Sequence, residues 1–265
     1  MIRKSIFLSL CIATFFAIFI VNLVRADTET FDETYEVNSG IRFEIHNLNG
    51  SVNIQGWDHS QIRVHAIKKT YPGGKLENVR IQVSQGADFK IETIQIVKNP
   101  RVSVNYDLRV PVSVVVKLVR TFNGKIEVKD VVGDIDARTS NGPIEIKDVM
   151  GFVSAHTSNG TIKVDGVAGV VKLETSNGAI ETEVPAIGEN GLRVHTSNGA
   201  IALSLASDLN VDLEARTSNG KIKLDDLEMA VKEITRNTLR GKLGKGGKKI
   251  LCRTSNGNIV LKKLK

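Results

Sequence analysis

The tetrapeptide Thr-Ser-Asn-Gly, repeated at a nearly fixed spacing, constrains the fold of this 265-residue chain more than any other feature. It occurs six times, and a relaxed copy, Thr121-Phe122-Asn123-Gly124, precedes the six. Successive asparagines are 18 or 21 residues apart, except for one gap of 37. A period this short is typical of a stacked repeat protein, because a single unit cannot bury its own apolar face. The turn residues of the seven copies are Asn123, Gly124, Asn141, Gly142, Asn159, Gly160, Asn177, Gly178, Asn198, Gly199, Asn219, Gly220, Asn256 and Gly257.

Each repeat alternates small or apolar residues with polar ones on both sides of its turn. In one repeat, residues 135–139 precede Ser140-Asn141-Gly142, and residues 143–147 continue the alternation. A period of two indicates half-buried strands. An Asn-Gly pair between two such runs predicts a tight reversal, because both residues tolerate the positive φ that this turn needs. We therefore predict an all-β chain, a β-solenoid similar to a β-helix or β-roll, with coils of 18–21 residues and two strands per coil.

Stacked coils place equivalent residues in columns along the solenoid. Inward threonines need partners for their hydroxyl groups, either within the column or in the turn backbone. The turn asparagines are expected to form a ladder of amide hydrogen bonds. One inward column comprises Ile126, Ile144, Ile162, Ile180, Ile201, Ile222 and Ile259. Another comprises Thr121, Thr139, Thr157, Thr175, Thr196, Thr217 and Thr254.

The gap of 37 residues indicates a decayed copy of the motif. Asn237 lies 18 residues after Asn219 and 19 before Asn256, so it divides the gap into two ordinary steps. We therefore expect one further coil around Asn237. Two features depart from the pattern there, because Glu233 falls on an inward position and residues 241–249 are unusually basic.

The residues immediately before the motif threonines form an outward column that is mostly basic. Stacked like charges destabilise neighbouring strands, and an acid between two histidines relieves part of that repulsion. We favour a solvated face with local charge compensation, and the alternative is a basic stripe for an anionic polymer or lipid headgroup. The lysine-rich loop at residues 242–249, with Lys245 and Lys248, is a further candidate for the contact surface. The column is Arg120, Arg138, His156, Glu174, His195, Arg216 and Arg253.

Two histidines and a carboxylate occupy equivalent positions in three successive coils. The side chains of His156, Glu174 and His195 are therefore expected at intervals of roughly 5 Å on one face. These are ligand types that zinc accepts, which makes the three a weak candidate for a metal site. Exposed sites of this kind usually bind metal adventitiously, so we predict no functional metal and no cofactor.

The repeats lack the features of a carbohydrate-active enzyme. Such an enzyme needs carboxylates from neighbouring coils within reach of one sugar. Acids such as Glu127, Glu145 and Glu181 are instead scattered among lysines, an arrangement typical of cross-strand charge pairs. Aromatic residues, which would stack on sugars, make up only 5% of the chain. We therefore predict that the protein is not an enzyme.

Residues 1–26 are predicted to lie outside the fold. Arg3 and Lys4 precede an uncharged run at residues 6–24, and small residues before the acidic start at Asp27 suit cleavage after Ala26. The run is also long enough to span a bilayer, so a retained anchor stays open as an alternative. Either interpretation exports the rest of the chain.

Residues 27–120 follow the same pattern less faithfully. Asn49-Gly50 lies between two alternating runs, whereas the later runs lack an Asn-Gly pair. The sequence leaves open whether this region continues the solenoid as degenerate coils or forms a cap. The predicted organisation is a signal peptide or anchor at 1–26, an irregular β region at 27–120 and a repeat solenoid at 121–265.

Several motifs taken together resemble a known family. They are the first Asn-Gly strand pair followed by Gly56-Trp57-Asp58, the Val110-Pro111 step, the iterated Thr-Ser-Asn-Gly-x-Ile and the glycine-rich stretch before the last copy. This pattern resembles the "putative adhesin" family of β-strand repeats over roughly residues 35–262. The resemblance implies an exported or membrane-tethered prokaryotic β-solenoid with adhesion as its presumed role. It supplies no catalytic residues to carry over.

The combined hypothesis is a non-enzymatic binding or scaffolding protein of the cell envelope, extracellular or periplasmic. Its expected partners are an envelope polymer, a lipid surface or a membrane protein, together with self-association through the solenoid ends. The net charge of +7 falls to +4 without residues 1–26, which contain three basic residues and no acid, so nucleic acid is not expected as a partner. The alternative is an envelope-stress sensor or accessory subunit that binds a membrane protein. A polysaccharide-active β-helix enzyme is the least favoured hypothesis.

Overall fold

A computed structural model describes residues 26–264, which fold into β-strands with one turn of 3-10 helix at Leu76–Asn78. The predicted signal peptide or anchor lies outside the described residues, except for Ala26. Residues 26–264 form no helix with the length and apolarity of a membrane span. The strands are β1 Thr28–Glu36, β2 Arg42–His46, β3 Val52–Trp57, β4 Gln61–Thr70, β5 Val79–Gln85, β6 Asp88–Gln95, β7 Val102–Pro111, β8 Val115–Arg120, β9 Ile126–Val132, β10 Ile135–Arg138, β11 Ile144–Asn159, β12 Ile162–Asn177, β13 Ile180–Val184, β14 Leu192–Asn198, β15 Ile201–Leu205, β16 Val211–Asn219, β17 Ile222–Asp225, β18 Ala230–Ile234, β19 Thr238–Leu243, β20 Lys248–Asn256 and β21 Ile259–Lys263.

Each coil contributes one strand to each of two facing sheets. The strand before the turn asparagine belongs to the sheet that we call face A, and the strand after it belongs to face B. The long strands β11 and β12 pass from face B around the second corner of the coil into face A. Neighbouring coils pair in parallel, as in β11 with β12 and β14 with β20. The predicted all-β solenoid with two strands per coil is confirmed.

The coils are not stacked in the order of the sequence. β20 pairs with β14 on one side and with β16 on the other, and β21 lies between β15 and β17. The coil of Asn256 therefore lies between those of Asn198 and Asn219. The columns expected from the sequence exist, but the order of their last two members is reversed. Along the stack the turn asparagines are Asn49, Asn123, Asn141, Asn159, Asn177, Asn198, Asn256 and Asn219.

Three columns hold the coils in register. The isoleucine column is buried except for half-buried Ile222 at the end of the stack. The turn asparagines form the expected ladder, in which Asn159 Nδ2 donates to Asn141 Oδ1 over 2.9 Å. Each hydroxyl group of the threonine column donates to the turn backbone of a neighbouring coil, as Thr157 does to the carbonyl oxygen of Gly142 over 3.0 Å. Of the two expected threonine arrangements, the structure shows the one that uses the turn backbone.

The turn glycines are required for a reason that the sequence did not reveal. The expectation of a positive φ was wrong for the asparagines, because these turns join consecutive strands of parallel coils and no turn asparagine within residues 26–264 has a positive φ. Several turn glycines have a positive φ, but at 152–159° it is close to extended backbone. A Cβ atom at Gly142 would lie 2.1 Å from the carbonyl oxygen of Gly124 in the adjacent coil, and one at Gly160 would lie 2.1 Å from that of Gly142. Glycine is therefore needed for close packing between turns.

Residues 27–120 contain both further coils and a cap. Asn49 stacks directly on Asn123, so β2 and β3 form a regular coil, and β6 and β7 form one more coil outside it. Beyond these lie antiparallel strands, with β5 on β6 in face A, and β4 on β7 and β1 on β4 in face B. The antiparallel strands close the N-terminal end of the stack.

The coil expected around Asn237 does not exist. β18 and β19 form an antiparallel hairpin, and β19 pairs antiparallel with β16. Asn237 lies in the hairpin turn, where its carbonyl oxygen accepts a hydrogen bond from the Thr217 backbone over 3.0 Å. The hairpin extends face A beyond β16, while face B ends at β17.

Candidate functional site

The outward column of face A is continuous in space. Arg120 lies beside Arg138, then come His156, Glu174 and His195, and the column ends with Arg253 followed by Arg216. Four side chains of the column are exposed, namely Arg120, Arg138, His156 and Arg253. The other three, Glu174, His195 and Arg216, are partly buried. Because of the coil order, Arg253 and not Arg216 is the neighbour of His195.

The middle of the column is locally neutralised. Arg138 Nε donates to Asp136 Oδ1 over 2.8 Å, and this carboxylate raises the pKa of the arginine. Glu174 Oε2 lies 2.9 Å from Lys172 Nζ and 3.7 Å from His156 Nδ1. The small pocket between these side chains encloses about 280 Å³. The favoured interpretation of local charge compensation describes this part of the column.

The candidate metal ligands are adjacent in register but already engaged. His156 and His195 flank Glu174 on neighbouring strands. The ammonium group of Lys172 already forms an ion pair with the Glu174 carboxylate, which a metal ion would need as a ligand. Across residues 26–264 no three His, Cys, Asp or Glu side chains are grouped closely enough to hold a metal ion.

A large concave surface lies at the C-terminal end of face A. This C-terminal groove encloses about 640 Å³. It forms where the intercalated strand β20, its neighbour β16 and the hairpin β18–β19 lie side by side. Its lining residues are Asp212, Leu213, Glu214, Ala230, Val231, Lys232, Arg240, Gly241, Lys242, Lys249, Leu251 and Arg253.

One carboxylate of the groove, that of Glu214, lies close to three guanidinium groups, of which Arg240 and Arg253 line the groove and Arg216 lies beside it. Glu214 Oε1 lies 3.0 Å from Arg216 Nε and 3.1 Å from Arg253 Nη2, and its Oε2 lies 3.7 Å from Arg240 Nε. Arg240 also contacts Glu233 Oε2 through Nη1 over 3.1 Å. The buried Nε of Arg216 has no hydrogen-bond acceptor of suitable geometry despite this proximity. Three arginines thus share two carboxylates and keep free donors.

The rest of the groove adds positive charge and a small apolar surface. Five basic side chains line it against two acidic ones, Asp212 and Glu214. Lys232, Lys242 and Lys249 make no ion pair within residues 26–264. Leu251 is half buried and Val231 is exposed, so apolar atoms lie among the charges. Arginine presents donors in a planar fork that fits carboxylate, sulfate and phosphate groups. The groove is therefore suited to an anionic ligand with some apolar surface.

A second cleft continues from the groove towards the asparagine ladder. It encloses about 570 Å³, and it is lined by His195, Arg216 and Arg253 together with turn residues. Arg253 lines both concavities. Three members of the sequence-predicted column thus meet at this end of face A, while Arg120, Arg138 and His156 lie further along the stack.

The basic stretch at residues 242–249 contributes Lys242 and Lys249 to the groove, rather than Lys245 and Lys248, which the sequence singled out. The Lys245 backbone donates to Asn210 Oδ1 over 2.7 Å, and Gly244 has a left-handed φ of 57°. Lys245 and Lys248 are exposed and do not line the groove, whereas Lys249 does. Sequence reasoning named the stretch 242–249, which includes Lys242 and Lys249, but missed Arg240 and Lys232, although the density of basic residues between 232 and 249 was a usable signal.

Comparison with known proteins gives a family match and two distant structural neighbours. The family model described as Toastrack DUF4097 matches residues 33–262. A crystal structure of a "putative cell adhesion protein" from Clostridium sporogenes is 13% identical, with a TM-score of 0.34, and the match covers 91% of this chain and 100% of that one. A "putative adhesin" from Bacteroides fragilis is 12% identical, with a TM-score of 0.26 and coverages of 89% and 97%. No curated protein sequence matches the chain.

Proposed function

We propose a binding function at the cell envelope for this chain, which belongs to the Toastrack DUF4097 family. The ligand of the proposed function is an anionic polymer of the envelope, and the C-terminal groove is its binding site. The sequence motifs that resemble β-strand-repeat adhesins agree with a role in holding surfaces or polymers.

The observation that carries the proposal is the arginine cluster around Glu214. Arg216, Arg240 and Arg253 lie within 3.0–3.7 Å of one carboxylate, which holds the guanidinium groups in place before any ligand arrives. Preorganised side chains lose less conformational entropy on binding, so more of the interaction energy contributes to affinity. The three unpaired lysines extend the positive surface along a chain-like ligand.

We further propose that the protein binds its ligand without changing it chemically. The Glu214 carboxylate, at the centre of the groove, is already engaged by three guanidinium groups, so it is not free to act on a bound ligand. The described lining residues include no aromatic side chain, histidine or thiol. We also propose that the domain is exported, on the basis of the basic and uncharged segments at residues 1–26.

Charge reversal in the groove tests this proposal. The full-length variant K242E/K249E changes two lysines that make no ion pair within residues 26–264, and so leaves the Glu214 cluster intact. We expect its binding to envelope fractions of the source cells to weaken about tenfold or more, equivalent to about 1.4 kcal/mol. The binding of the unaltered protein is expected to weaken with salt, because the contacts are ionic.

The matched control is K221E/K263E, which makes the same change in charge on two exposed lysines outside the groove, one immediately before β17 and one at the end of β21. Equal weakening in both variants, or none in K242E/K249E, would refute the groove as the site. Binding that survives enzymatic removal of the polymer but is lost after protease treatment of the membranes would instead indicate a membrane-protein partner.

A further inference from the structure

Two loops at the capped end of the stack form a second unusual surface. Residues 71–78 and 96–101, which we call the N-terminal tip, connect β4 to β5 and β6 to β7. The Tyr71 backbone donates to the carbonyl oxygen of Arg101 over 2.8 Å, and the Ile96 backbone donates to that of Asn78 over 2.9 Å. Arg101 Nη1 also donates to the carbonyl oxygen of Pro72 over 2.7 Å. The tip is therefore an ordered structure.

The tip exposes apolar side chains that packing would normally cover. Tyr71, Ile96 and Val97 are 53%, 54% and 42% exposed. Phe122 is 57% exposed and lies on the same edge of the solenoid, the edge of the asparagine turns, two coils further along. It occupies the position that serine holds in the later repeats. Single exposed apolar residues are common, but several on one edge mark a contact surface.

Positive charge surrounds these apolar side chains. Lys75, Lys98 and Arg101 belong to the tip and Lys69 adjoins it, whereas Glu77 is the one acid of the tip. Lys69, Lys98 and Arg101 make no ion pair within residues 26–264. Tyrosine and aliphatic side chains among cations are typical of protein surfaces at the boundary between lipid headgroups and acyl chains.

The described chain begins beside this tip. The Thr70 backbone donates to the carbonyl oxygen of Asp27 over 3.0 Å, and the Asp27 backbone donates to Thr70 Oγ1 over 2.8 Å. Thr70 immediately precedes Tyr71. The uncharged run in the sequence ends at residue 24, and three residues span at most about 10 Å. A bilayer that holds this run would thus lie within reach of the tip.

We propose that the N-terminal tip docks on an anionic lipid bilayer, with Tyr71, Ile96 and Val97 entering the interface and Lys75, Lys98 and Arg101 facing anionic headgroups. The contact fixes the orientation of the solenoid on the membrane, which a tether alone would leave free. It involves the capped end of the stack and is independent of the ligand proposed for the C-terminal groove.

Quenching of tryptophan by brominated lipid tests the docking. The only tryptophan of the chain is Trp57, so the W57F background allows one new probe. Full-length W57F/Y71W is placed in nanodiscs of phosphatidylcholine and phosphatidylglycerol with bromine on the acyl chains. We expect its fluorescence to fall by roughly half relative to unbrominated lipid, because the indole enters the interface.

The matched control is W57F/M150W. Met150 is apolar and 70% exposed, but it lies at the corner of the coil opposite the asparagine turns. A domain that is merely tethered would give no acyl-chain quenching at either position, and this outcome would overturn the proposal. Equal quenching of the two probes would overturn it as well. An emission shift of the Y71W probe that follows protein concentration rather than lipid would instead identify a second copy of the chain as the occupant.

Two further substitutions distinguish the insertion of apolar side chains from electrostatic attraction to the headgroups. I96S/V97S in the Y71W background replaces exposed side chains, so the fold is retained, and it should remove most of the quenching. K98E should reduce the quenching on anionic nanodiscs and leave it unchanged on pure phosphatidylcholine. Quenching that is insensitive to both changes would contradict the proposed contact.

Discussion

At the scale of the single residue, the sequence predicts the turn glycines at the right positions but for the wrong physical reason. The Asn-Gly pairs were expected to be turns, and they are. The expected cause was backbone conformation, whereas the structural cause is the carbonyl oxygen of the adjacent coil about 2.1 Å from where a Cβ would lie. A single repeat contains no information about its neighbour, so this requirement appears only in the stack.

Substitution of a turn glycine tests this cause. We expect G160A to lower the free energy of unfolding by about 1–3 kcal/mol or more, because its Cβ would clash with the Gly142 carbonyl oxygen, which cannot move aside without separating two coils. Gly160 has no positive φ, so the effect reports the clash alone. The control is G86A, since nothing lies within 4 Å of a Cβ at Gly86. Chemical denaturation followed by circular dichroism measures both. Equal stability of the two variants would show that the turns have room for a side chain.

The inward columns were the most predictable part of the molecule. Alternation placed the isoleucines and threonines inside, and the period placed them above one another. Buried polar groups require partners, and this principle left two arrangements for the threonines, of which the turn backbone is the one observed. The outward column was equally predictable in position. Its ion pairs were not, because they depend on residues two positions away on the same strand, such as Asp136 beside Arg138.

At the scale of the element, the order of the coils could not have been predicted. Every coil offers the same pattern of hydrogen bonds, isoleucines and asparagines to its neighbours. Any two coils could therefore stack on each other equally well in the same register. The gap of 37 residues was the visible sign of an irregularity. A decayed coil and an antiparallel hairpin both fit that length, and the hairpin β18–β19 is the one that forms.

Engineered disulfides distinguish the observed order from the sequential one. Ser197 and Ser255 lie on adjacent coils, because Thr196 pairs with Thr254 and Asn198 with Asn256. We expect S197C/S255C to cross-link readily on mild oxidation, since neighbouring strands are about 4.8 Å apart. S197C/S218C should not cross-link, because its coils are separated by about 9.6 Å. C11S should be included in both variants.

Cys252 does not interfere with this experiment, because it is fully buried and burial raises the pKa of its thiol. Non-reducing electrophoresis measures the cross-link. Efficient formation of S197C/S218C would contradict the intercalated position of β20.

At the scale of the whole molecule, the two proposed contact surfaces lie at opposite ends of one stack. Eight steps separate the coil of β6 and β7 from that of β16 and β17, or roughly 38 Å at the spacing of parallel strands. The sequence indicated a basic contact surface but assigned it to a stripe along the full column. Of the column only Arg253 lines the groove, and Arg216 lies beside it and shares the Glu214 carboxylate, because the groove depends on the hairpin and the intercalated coil.

Sites this far apart with no shared residue should act independently. We therefore expect I96S/V97S at the tip to leave the affinity for the envelope polymer unchanged. In the same way, K242E/K249E in the groove should leave the lipid quenching of the Y71W probe unchanged. The combined variant should show both single defects with unaltered size. A polymer affinity that changes with the tip variant would show that the surfaces are coupled or that one ligand contacts both.

The intercalated coil also constrains how the protein is made. The ribosome releases β16 to β19 before β20 and β21, so the strands that flank the last coil are complete while the space between them is still empty. Until β20 and β21 arrive, β14 and β15 on one side and β16 and β17 on the other present unpaired backbone groups. A chain interrupted before residue 248 keeps those edges exposed, and it is therefore open to proteolysis or to association with other incomplete chains. Completion of the stack therefore depends on the last coil, which β20 and β21 form.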